Sequence, residues 1–157
     1  MITVVCEFLL FLDEEVEAGP DRLLRLASFL DDLAVAYHRS EPLEPDTEEA
    51  DAPRQDWNRV ISRIGKIFPT LGFYPYVDPS EGIEQAEVTQ RWAADDLADI
   101  AGDLSDVLWY WEQGRQADAI WAFRFGYQSH WGRHLNGLRL YLHESFYGPH
   151  GSWPEAA

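Results

Sequence analysis

Five aspartates and two histidines carry most of the chemistry this chain could do. Asp95, Asp96, Asp99, Asp103 and Asp106 fall in one twelve-residue run; Arg124, Tyr127, His130, Arg133 and His134 follow in a second. His130 and His134 stand four apart, as do Asp99 and Asp103, a spacing that brings both members of a pair to one helix face. Two imidazoles and two carboxylates facing each other form a donor set for a divalent ion such as zinc, manganese or iron. The same residues can also make a closed ion network. Arg124 would then grip two carboxylates with its planar fork, and each imidazole would donate to an aspartate. No Ser/His/Asp or Cys/His arrangement and no glycine-rich phosphate loop accompanies them, and Cys6 on an apolar stretch reads as a buried, inert thiol.

Such residues meet only if two helices carry them. Asp96, Asp99, Asp103, Val107 and Tyr110 form one stripe at helical spacing. Leu97, Ile100, Leu104, Leu108 and Trp111 form an apolar stripe one residue on, so the acids border the buried face. A carboxylate at that border is partly dehydrated and needs a partner. The pattern predicts helices over about 88–113 and 116–145, folded back at Glu112–Gln116. With the turn centred near Gly114, facing residues have numbers summing to about 229, since both helices rise about 1.5 Å per residue. That sum pairs Asp106 with Arg124, Asp99 with His130, Asp95 or Asp96 with His134, and Asp103 with Gly126, within reach of Arg124 or Tyr127.

The remaining elements read as further helices and no strand. Apolar spacing predicts one over 2–18, a second of about 20 residues after Gly19-Pro20, and a third around Trp57–Phe68 ended by Pro69 and Gly72. Asp31 and Asp32 lie off the second helix's apolar stripe and read as solvated. Residues 40–55 hold three prolines and a cluster of acids, an exposed loop. Phe73-Tyr74-Pro75-Tyr76-Val77-Asp78-Pro79 is too proline-rich for a helix; it reads as an extended segment packed across the core. Tyr74 and Tyr76, with Trp121 and Trp131, are candidates to wall a pocket beside the aspartates. Gly126, Gly132 and Gly137 interrupt the fifth helix and call for a close approach or a kink. The fold expected is all-α: a single-domain bundle of about five helices over residues 1–147, with a tail at 148–157.

Composition narrows the partners. A net charge of −16 opposes nucleic acid and anionic membranes by long-range repulsion. One cysteine allows no internal disulfide and suits a reducing compartment. The apolar stretch Met1–Leu12 contains Glu7 and runs into Asp13-Glu14-Glu15, which fits neither a signal peptide nor a membrane span. The expected location is cytoplasmic, with a protein partner, self-association or a small-molecule ligand left open.

Asp95-Asp96-Leu97-Ala98-Asp99-Ile100, then Asp103-Leu104, Trp121, Arg124 and His130-Trp131-Gly132-Arg133-His134, resemble a family of bacterial proteins catalogued as domain of unknown function 5063. The resemblance covers about Tyr74 to Leu142. It carries no activity with it, but it implies that the acids and the histidine pair belong together. Separately, Asp103-Leu104-Ser105-Asp106 followed by Val107–Trp111 looks like the second magnesium helix of the all-α nucleoside triphosphate pyrophosphatases. Glu84-Gln85-Ala86-Glu87 would then be the partner E-x-x-E motif that the resemblance requires on a helix. The residues thus favour a non-catalytic structural, interaction or ligand-binding module with a buried Asp/Arg/His cluster. The alternative is a metal-dependent hydrolase using Asp99, Asp103, His130 and His134, or a magnesium-dependent pyrophosphatase.

Overall fold

A computed structural model of the chain describes residues 1–14, 19–46 and 51–151. It is mostly helical, with six helices and one small antiparallel sheet among the described residues.

Helix α1 (Ile2–Asp13) buries Val5, Phe8, Phe11 and Leu12. It stops at Glu14, whose backbone is extended, short of the expected end at residue 18; residues 15–18 lie outside the described set. The stop has a cause in α2 (Pro20–Arg39). The Arg22 guanidinium donates to the Phe11 and Glu14 carbonyls at 2.8 and 3.0 Å, supplying partners that a helix end otherwise lacks. Leu26, Leu30 and Leu33 of α2 are fully buried, as their stripe requires. Asp31, expected to be simply solvated, instead pairs with both arms of the Arg139 guanidinium on the surface. Helix α3 (Trp57–Ile67) is capped by Asp56, whose carboxylate accepts the Arg59 amide at 3.3 Å.

Two corrections bear on the site. First, Phe73–Tyr76 (β1) pairs with Thr89–Trp92 (β2), Tyr74 opposite Arg91, so α4 begins at Ala93 and not at 88. Phe73 stacks on Trp92, and the Ala93 amide donates to Gly72, closing the hairpin onto the helix start. Second, the long fifth helix is two: α5 (Gln116–Ser129) and α6 (Trp131–Tyr147), parted at His130 with φ −144° and ψ −84°. The Trp131 indole is fully buried over Gly126, where a Cβ would come within 2.7 Å of it, and donates to the Phe123 carbonyl. A straight helix cannot turn residue 131 back onto residues 123 and 126, so the chain breaks to seat the tryptophan. Gly132 completes the bend, because a side chain there would meet the Tyr127 carbonyl.

Helix α4 (Ala93–Glu112) touches α1, α3, α5 and α6. Leu97, Ile100, Leu104 and Val107 join one core with residues from every other helix, among them Phe8, Leu30, Ile64, Phe123 and Leu138. Its apolar stripe is therefore surrounded; of the aspartates at its border, Asp96 and Asp99 meet α6, and Asp96 also meets the hairpin. Gly114, at φ +76°, makes the turn into α5. No helix of the described residues is long and apolar enough to cross a membrane.

Candidate functional site

Asp96 anchors the site. It lies in the first turn of α4, where the helix dipole favours a negative charge, and is 2% exposed. One of its oxygens accepts the Tyr74 hydroxyl of β1 at 2.5 Å; the other meets His134 Nδ1 of α6 at 2.7 Å. Burial raises the Tyr74 pKa, and the bond to Asp96 raises it further, so the phenol stays a donor. Tyr74 reaches Asp96 only because residue 137, one turn beyond His134, is glycine: a Cβ there would stand 2.6 Å from the phenol oxygen. The bond to Asp96 likewise raises the His134 pKa, against the opposing effect of burial.

A second imidazole is held in the same way. His130 Nδ1 lies 2.8 Å from Asp103, and the two imidazole rings meet edge to face at 4.9 Å. Both histidines thus engage a carboxylate through Nδ1, leaving Nε2 available. The other side of His134 looks onto Asp99, with Nε2 3.5 Å from its Oδ2. Burial raises the Asp99 pKa, partly offset by His134 and reinforced by the neighbouring charge of Asp95.

One ligand atom each from Asp99, His130 and His134 lies within 4.8 Å of the others. Ligands about 2.1 Å from a shared ion are roughly 3.0–3.4 Å apart, so small side-chain rotations would close this set. Asp96 and Asp103 stand behind the imidazoles as carboxylates commonly stand behind metal-bound histidines, setting tautomer and ring orientation. Asp103, expected as a ligand, is therefore better placed to orient His130. The His130 side chain is 49% exposed, so the face of the triad away from His134 opens to solvent.

The facing rule held for two of its pairs. Asp103 lies opposite Gly126, 3.5 Å from its would-be Cβ, and Asp96 meets His134. At the break His130 lies a turn off the rule and meets Asp103, and Asp99 meets the far side of His134 instead. Arg124 is absent from the cluster: it turns the other way, donates to the Tyr37 and Ser40 carbonyls and caps α2. Asp106 has no arginine partner; burial pushes its pKa up to about 6, with Gln55 as its hydrogen-bonding neighbour. Tyr127 stacks on Tyr37 at 3.8 Å. Arg133 is exposed, and its charge acts on Asp78. Of the expected pocket wall only Tyr74 lines the site. Tyr76 carries the Arg91 guanidinium on its ring at 3.5 Å, Trp131 is core, and Trp121 stacks on Phe125 on the exposed side of α5. Glu84, in a turn, and Glu87, in irregular chain, are exposed between the strands, so the paired E-x-x-E helix of the pyrophosphatases is not formed. Cys6 is half-buried, not buried.

Sequence patterns do not mark Gly137 as part of the site, nor Arg91, whose Nη1 lies 3.3 Å from the would-be Gly137 Cβ and whose charge acts on Tyr74 and His134. For Gly137 a signal existed: it lies three residues after His134, on the same helix face.

No curated protein matches the sequence. The crystal structure of protein BF1032 from Bacteroides fragilis is similar, at a TM-score of 0.77 and 19% identity, covering 94% of this chain and 90% of that one. At that identity the likeness speaks for the fold alone. The domain of unknown function DUF5063 matches residues 3–147, which take in every helix and all the site residues. With that span matched, the chain belongs to the DUF5063 family.

Proposed function

We propose that this chain is a cytoplasmic, single-domain helical bundle over residues 1–147 that holds a divalent transition metal through Asp99, His130 and His134. The observation that carries the reading is the convergence of those three ligand atoms, with each imidazole backed by its own carboxylate. Each imidazole meets its own aspartate through Nδ1, and His134 Nε2 lies 3.5 Å from Asp99, the arrangement in which carboxylates orient metal-bound histidines. Two arginines that would repel a cation stand off it, since Arg124 caps α2 and Arg133 lies out towards Asp78, while the Arg91 charge acts on His134. Two imidazoles and one carboxylate suit zinc, iron or manganese better than magnesium, which prefers oxygen donors and retained water. The net charge of −16 fits cation uptake and argues against nucleic acid or an anionic membrane as partner.

Metal analysis of protein purified without an affinity tag tests the reading. About one equivalent of a transition metal, lost in His134→Ala, is expected, together with a rise in melting temperature on adding Zn²⁺ or Mn²⁺ to metal-free protein. Less than about a tenth of an equivalent and no thermal shift would leave the cluster as a network that fixes helix register.

Metal-assisted hydrolysis is the second reading, favoured by the exposed side of His130. Three protein ligands leave a position where an ion can bind and activate water. Turnover of an ester or phosphoester panel, lost in both His134→Ala and Asp99→Ala, would establish it.

A further inference from the structure

We propose a second binding site, a cleft between α1 and α3 that takes a single-chain amphiphile with an anionic head, of the fatty-carboxylate type. Helices α1 and α3 each rest on α4 but make few contacts with one another. The gap between them is a cleft of about 460 Å³. That is in the range of small-molecule sites. Its walls are aliphatic, with Leu9 and Leu12 from α1 and Val60 and Ile64 from α3. Its floor is α4, where Ala101 and Ser105 are too small to fill the space. Ser105 adds no free polar group, because its hydroxyl donates back to the Ala101 carbonyl at 2.7 Å.

The mouth selects the head group. Asp13, Asp56, Arg59 and Arg63 stand there. Arg63 is paired with Asp13, and Asp56 is occupied in capping the Arg59 amide of α3. Among the described residues the Arg59 guanidinium has no ion pair or side-chain hydrogen bond, which leaves it the unpartnered cation of the mouth. In a chain of net charge −16, an unpaired arginine over an apolar trough is the unusual feature. A carboxylate can take its planar fork through two parallel bonds while an alkyl chain lies on the aliphatic walls. A cationic amphiphile would share the apolar contacts but meet repulsion at Arg59. This site lies on a different side of α4 from Asp96 and Asp99 and does not depend on metal.

Titration calorimetry with dodecanoate, kept below its micelle threshold, and with dodecylammonium as the matched cation tests the proposal. Saturable binding of one dodecanoate per chain is expected, with dodecylammonium at least about tenfold weaker, the scale of one charge-assisted contact. Arg59→Gln is at a surface position; it should keep the melting temperature while weakening dodecanoate by about tenfold and abolishing the head-group preference. Ala101→Leu should fill the floor and suppress binding of both probes. His134→Ala should leave dodecanoate binding unchanged. Equal affinity for the two head groups, the same dodecanoate affinity in Arg59→Gln as in the native chain, or no saturable binding would overturn the proposal.

Discussion

Replacing Asp96 by alanine should destabilise the protein far more than any other loss of an acid from α4. The carboxylate is 2% exposed, and both its oxygens are bonded, to the Tyr74 hydroxyl at 2.5 Å and to His134 Nδ1 at 2.7 Å. Truncation leaves two donors in a largely buried space, each costing about 1–3 kcal/mol when unsatisfied. It also removes the negative charge beside a partly buried imidazole. We expect a loss of about 3–4 kcal/mol, within the range for breaking a buried charged pair. For a chain of this size that corresponds to a fall of roughly 6–15 °C in melting temperature. The control is Asp31→Ala, which removes a surface pair with Arg139 and should cost about 0.5 kcal/mol. Asp99→Ala should fall between them, because Asp99 is a quarter exposed and its ion pair, with His134, is long at 3.5 Å. Urea unfolding followed by far-ultraviolet circular dichroism, in chelator so that bound metal cannot contribute, measures all three. Equal losses at Asp96 and Asp31 would refute the reasoning, since the buried junction of β1, α4 and α6 would then hold nothing together.

Three further outcomes follow from the same geometry. Gly132→Ala should cost about 1–3 kcal/mol, because its methyl would press on the Tyr127 carbonyl at the α5–α6 bend; a thermal melt reads this. Asp106 is pushed up to about 6 by burial, so its proton is favoured by folding. That contribution is fully present below about pH 4 and is lost as pH rises through about 6. Asp106→Asn should therefore match the native protein near pH 4 and exceed it by about 1 kcal/mol at pH 8, a figure reduced because the group is only half-buried; urea midpoints across that range check it. Tyr74→Phe should weaken metal affinity by about tenfold while leaving all three proposed ligands in place, as loss of a hydrogen bond behind a metal-bound histidine does; competition with a chelating dye measures it.

Much of the scaffold was legible because long apolar stripes report buried faces. The stripe through Leu97, Ile100 and Leu104 located α4, and the Gly114 turn located the start of α5. The facing sum then brought Asp96 to His134 and Asp103 to Gly126. What failed had local causes. Four-residue strands, one containing Pro75, are too short for alternation to register, so Thr89–Trp92 was absorbed into the helix that follows it. Trp131 continues a helical pattern in sequence, and only its need to lie over Gly126 reveals the break. At that break His130 goes to Asp103 and not to Asp99, so Asp103, expected as a ligand, stands as a support. Arg124 was misplaced because the acids nearest in the facing sum outranked the carbonyls at the end of α2, which no side-chain pattern marks.

The most direct test of the metal reading is anomalous diffraction at the zinc edge from crystals of metal-free protein soaked in Zn²⁺. One strong peak is expected, bounded by Asp99, His130 and His134, about 2.0–2.2 Å from a carboxylate oxygen and both Nε2 atoms, with Asp96 and Asp103 still on the two Nδ1 atoms. Zinc found only at other carboxylates, with the His134–Asp99 contact unchanged, would contradict it.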